Sequence, residues 1–73
     1  MNYIIKTEGL MCGHCDAKVE TALLGIPGVT DADADHELQT VSVECEEGVT
    51  PEQLAEAIEQ AGEKFHTLSV TNE

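Results

Sequence analysis

The first apolar cluster, "NYIIKTE" at residues 2–8, is a β-rich run that stops at Gly9, which predicts a strand feeding a loop. From Gly13 to Leu24 the apolar positions Ala17, Val19, Ala22, Leu23 and Leu24 recur at helical spacing, with Asp16, Lys18, Glu20 and Thr21 opposite. That pattern predicts an amphipathic helix. "GIPG" at residues 25–28 stops it: Gly25 is placed for a left-handed cap, and Pro27 cannot continue the helix. In "VTDADADHE", Ala32 and Ala34 alternate with Asp31, Asp33 and Asp35, which predicts a short acidic edge strand whose charges deter edge-to-edge pairing. "TVSVEC" at residues 40–45 is the clearest strand, with Val41, Val43 and Cys45 on one face. Residues 36–39 join the two as a hairpin, although no glycine marks the turn.

The second helix is predicted within "TPEQLAEAIEQAG", residues 50–62. Thr50 is a good N-cap, Pro51 suits the first helical position, Gln53 completes a capping box and Glu52 faces the positive end of the helix dipole. Leu54, Ala57, Ile58 and Ala61 form its buried stripe, and Gly62 ends it. A last strand spans residues 64–71; its pattern leaves open whether Phe65, Thr67 and Ser69 or His66, Leu68 and Val70 face inward. The order strand, helix, strand, strand, helix, strand predicts an α+β fold. Two helices cover one face of a four-stranded antiparallel sheet, the ferredoxin-like βαββαβ sandwich.

Composition narrows the function. The 73 residues are read as one domain, 1–73, and a chain of this size buries only about 60% of the surface it would expose unfolded. Aromatics are 3% of the chain, so Val, Leu, Ile and Ala must build the core, and an elaborate substrate cavity is not expected. Fifteen carboxylates against three lysines and no arginine leave a net charge of -12. That balance argues against nucleic acid, whose phosphates require Lys and Arg, and equally against anionic membranes. It reads as a solvated, aggregation-resistant surface, or alternatively as a field that attracts cations and steers the domain towards a basic partner patch. No signal peptide and no stretch of about 18 apolar residues is found, so membrane insertion is not expected and the chain is placed in the cytosol. The opening Met and the length fit a stand-alone chain.

The candidate chemistry lies in "LMCGHCDAK", residues 10–18. Cys15 falls in the first predicted helical turn, where free backbone N–H groups and the dipole's positive end stabilise a thiolate, and Cys12 lies in the loop just before it. Gly9 and Gly13 let that loop curl until both sulfurs face one point at the surface. Two such thiolates form a nearly linear site suited to Cu(I) and to other soft thiophilic ions. Structural zinc would normally need a second pair of ligands. The remaining thiol, Cys45, is in register with the core, and His36 and His66 lack partner spacing. A dithiol redox couple stays open, because Cys-x-x-Cys is also the thioredoxin-type signature.

"GLMCGHCDAKVETALLGIPGV" resembles the start of the heavy-metal-associated domain family, which includes small copper chaperones and the N-terminal domains of copper-exporting P-type ATPases. Gly9, Cys12, Cys15, Val19, Leu23 and Gly28–Val29 occupy the family's pattern, and the likeness continues through Val41, Val43, the second helix and Gly62. The resemblance implies a βαββαβ fold and Cu(I) bound by Cys12 and Cys15. It also implies passage of the metal by thiol exchange to a metal-transporting P-type ATPase or its metal-binding domain, or sharing of copper in a metal-linked homodimer. It implies a carrier and not an enzyme; a mercury, zinc or cadmium cargo is the alternative. Two departures stand out. Leu10 occupies the place of a family methionine that props the loop, which leaves Met11 as a solvent-exposed bystander or a weak thioether ligand. After Gly62, where relatives carry Tyr, Phe or Lys near the loop, this chain has Glu63, followed by Lys64 and Phe65 as candidate shields. His14 reads as a solvated loop residue, or as a third ligand when copper is shared, and His36 as a partly buried hairpin residue.

Overall fold

Among the described residues four strands and two helices form in the predicted order: β1 (Asn2–Glu8), α1 (Gly13–Leu24), β2 (Val29–Asp35), β3 (Thr40–Cys45), α2 (Pro51–Ala61) and β4 (His66–Asn72). The computed structural model describes residues 1–11 and 13–72. The strands make one antiparallel sheet in the order β2-β3-β1-β4. Both helices pack on one face, α1 against β2 and α2, and α2 also against β4. This is the ferredoxin-like sandwich. No helix among the described residues is long and apolar enough to cross a membrane.

Strand register explains the core. Ala34 stands opposite Val41, Val41 opposite Ile5 and Ile5 opposite Val70, so one row of apolar side chains crosses the sheet beneath the helices. Tyr3 and Val43 begin a second row, and Val19, Leu23, Leu54, Ile58 and Phe65 close over both. At about 25 cal/mol per Å² of apolar surface removed from water, rows of this kind supply most of the drive to fold.

Several local expectations are corrected. In α1 the buried residues are Cys15, Val19 and Leu23, four apart, while Ala17 and Leu24 face solvent. Gly25 takes no left-handed cap. Its N–H continues to the Thr21 carbonyl, and the positive φ falls at Gly28 (100°), where a turn closed by Val29 N–H to Ile26 O places Pro27 and Gly28 at its centre. That is the sequence and geometry of a type II turn. Gly62 is extended, and its need for glycine is spatial: a Cβ there would lie 2.9 Å from the Phe65 ring.

β4 resolves the open choice of faces by using neither set. The register shifts between Lys6 and Thr7, which pair with Ser69 and Thr67, so Leu68 is an extra residue and points outward. The bulge puts Thr67 and Val70, three apart, on the inner side. The acidic β2 is an edge strand as expected, and the carboxylate of Glu20 on α1 accepts a hydrogen bond from Ala34 N–H at 2.9 Å.

Candidate metal centre

The end of the sheet where β1 finishes carries three connections: the β1–α1 loop, the β2–β3 hairpin and the α2–β4 turn. Gly9, at φ 99°, lets the chain leave β1 against the α2–β4 turn; a Cβ there would sit 2.0 Å from the Lys64 carbonyl oxygen. Leu10 then drops into the core, which gives it the propping role assigned to it, while Met11 is 70% exposed. Phe65 is buried in the core, and Glu63 and Lys64 are exposed.

Cys15 stands in the first turn of α1 and is only 6% exposed. Openness of this sulfur at the surface was expected, and the structure corrects it. Cys15 lies one and two helical turns ahead of Val19 and Leu23, so it shares their inward face. Cys12 lies outside the described residues, and so does the geometry of the pair. His14 is exposed, along a shallow groove with Ala17, Lys18, Thr21, Ala22 and Ala61. Among the described residues no three His, Cys, Asp or Glu side chains converge to hold a metal ion.

Cys45 is buried, as its register predicted, and it lies at the other end of the sheet, where its N–H donates to Met1 O and it pairs with Val29. Thr7 lies six steps along the chain from Met1, roughly 20 Å at about 3.3 Å per residue. Cys45 therefore cannot join Cys15 at one ion.

Two contacts that sequence reasoning did not find hold the hairpin against the site. His36 Nδ1 lies 2.7 Å from Asp16 Oδ2, joining the hairpin to the first turn of α1. The Asp16 hydrogen bond raises the His36 pKa above its ordinary value of 6.5, against a smaller lowering by desolvation, with the charges of Asp16, Glu37 and Asp35 adding to the rise. The other Asp16 oxygen, Oδ1, is buried and has no hydrogen-bond partner among the described residues. Gln39, at the close of the hairpin, makes the second contact, with Leu10. No short-range signal marks either: the partners are 20 and 29 residues apart.

Comparison with known proteins agrees with this architecture. The family model of the heavy-metal-associated domain matches residues 4–64. The copper chaperone CopZ of Staphylococcus aureus is 45% identical over 60 residues, 81% of this chain and 88% of that protein. A solved CopZ metallochaperone superposes with a TM-score of 0.87 at 39% identity, covering 93% of this chain and all of the other. A copper binding domain from a P-type ATPase superposes with a TM-score of 0.82 at 28% identity, covering 96% of this chain and 97% of that one.

Proposed function

This chain belongs to the heavy-metal-associated domain family, and on that premise we propose that residues 1–73 act as a single-domain carrier. It holds Cu(I) on Cys12 and Cys15 and hands it to a partner by ligand exchange. The observation that carries the reading is Cys15 in the first turn of α1, three residues after Cys12, in a chain 45% identical to a copper chaperone. Free N–H groups and the positive end of the helix stabilise thiolate charge there. Two thiolates meet the preference of a soft monovalent ion for sulfur at low coordination number, and the distance to Cys45 supports a site without a third thiolate.

In the exchange, an incoming thiolate bonds to copper before an outgoing one departs, so copper is never stripped bare and its oxidation state does not change. The partner is a metal-transporting P-type ATPase or its metal-binding domain, a reading supported by the shared fold of the P-type ATPase domain. A metal-linked homodimer would use the same chemistry between two copies. The setting is the cytoplasm, where reduced thiols are available.

Competition titration of the reduced protein with Cu(I) against Zn(II) tests the reading, repeated with Cys12→Ser and Cys15→Ser. The wild type is expected to take about one Cu(I) and to prefer it over zinc by orders of magnitude, and either variant is expected to lose that preference. Equal affinity for zinc, or copper retained by both variants, would reject copper carriage on this pair.

A further inference from the structure

Gln39 adopts φ 54°, the one described residue other than glycine in the left-handed region. A side chain with a Cβ is strained there, and glycine would fit without steric cost. What Gln39 adds is its amide. Nε2 donates to Leu10 O at 2.5 Å and to His36 O at 2.6 Å, and Oε1 accepts from Leu10 N–H at 3.1 Å. Exchanging the amide's oxygen and nitrogen would set donor against donor and acceptor against acceptor at all three contacts, so this orientation is the one that satisfies them. Meanwhile the Gln39 backbone carbonyl accepts from Thr7 N–H at 2.8 Å and from Thr7 Oγ1 at 3.0 Å, fixing the hairpin to the end of β1. The side-chain amide thus does for Leu10 what the peptide group of a neighbouring strand would do. It extends the ladder one step past β3, to the residue two places before Cys12.

We propose that Gln39 is a positioning residue for the Cys12–Cys15 loop: its amide pins both backbone polar groups of Leu10, so that the loop is ordered before metal arrives. The strain at φ 54° is the cost of placing an amide, rather than a bare glycine, opposite that loop. A loop ordered in advance loses less freedom when it closes on a ligand, which favours retention of the metal. The loop-holding part stands on the described geometry alone, and its effect on Cu(I) rests on the carrier reading above.

The test compares wild type with Gln39→Gly, which removes the amide and relieves the backbone strain together, and with Gln39→Asn, which tolerates the left-handed conformation but is one methylene too short to reach Leu10. Amide hydrogen exchange is followed on the metal-free protein at Leu10 and at Val41 in the core, alongside Cu(I) affinity by chelator competition. Both variants are expected to exchange Leu10 N–H at least about 10-fold faster with Val41 unchanged, and to bind Cu(I) about 10-fold more weakly, as for loss of other supports behind metal ligands. Unchanged protection of Leu10, or unchanged Cu(I) affinity, overturns the proposal. So does a parallel loss of protection at Val41, which would make Gln39 a general structural residue. Should the wild type not bind Cu(I), the carrier reading fails, and Leu10 exchange still decides whether Gln39 holds the loop.

Discussion

At His36 the Asp16 hydrogen bond favours the imidazolium, so the folded-state pKa lies above the ordinary 6.5 of the unfolded chain. Such a group contributes stability that is fully present below the unfolded value and is lost as pH rises through the folded one. The difference in unfolding free energy between wild type and His36→Asn should therefore shrink from about pH 5.5 to about pH 8.5, measured by urea unfolding of the reduced, metal-free protein. A difference that stayed flat, or grew, would mean that the pair does not form in solution. At this scale the chain was partly legible. Cys45 in the core follows from strand register, while Leu10 buried and Met11 exposed follow from the family resemblance. The burial of Cys15 could also have been read from its four-residue spacing to Val19 and Leu23. The Asp16–His36 pair and the Gln39 contact could not, because each joins residues brought together only when the sheet closes.

Among the elements, α2 was the most legible, because its start is decided within four residues. Thr50 Oγ1 accepts from Gln53 N–H at 3.3 Å, and Gln53 Oε1 accepts from Thr50 N–H at 2.9 Å, the reciprocal box that the sequence predicts. Thr50→Ala should cost about 1 kcal/mol of unfolding free energy, with the denaturant slope unchanged. An unchanged unfolding midpoint would show that the box contributes nothing. β4 was the least legible. Its inner side is marked by Thr67 and Val70, on opposite sides of a bulge, and a period of two cannot reveal where a residue has been inserted. The stop of α1 shows an intermediate case: glycine and proline marked the right segment, but which glycine takes the positive φ was settled by turn closure and by Val49, whose Cγ2 would lie 2.7 Å from a Cβ on Gly28.

For the whole molecule, a charge of -12 is spread over a body 30 × 20 × 16 Å in extent, so most carboxylates lie within one another's field at low salt. Raising NaCl from about 10 mM to about 150 mM shortens the screening length from about 30 Å to about 8 Å. The thermal midpoint of the metal-free protein, followed by circular dichroism, should rise by about 5 °C, equivalent to about 1 kcal/mol for a domain this small. A midpoint that falls with salt would show that attractive pairs outweigh the repulsion. Alternation, helical spacing and capping act over a few residues, so the order of elements and the α+β sandwich were readable from the chain alone; the acidic character came from its composition, and the family from the resemblance around Cys12 and Cys15. Packing in three dimensions settled that Cys15 is covered, that a bulge sets the inner side of β4, and that Gln39 and His36 reach from the hairpin to the β1–α1 loop and α1. These depend on distances between residues far apart in the chain, which no local pattern encodes.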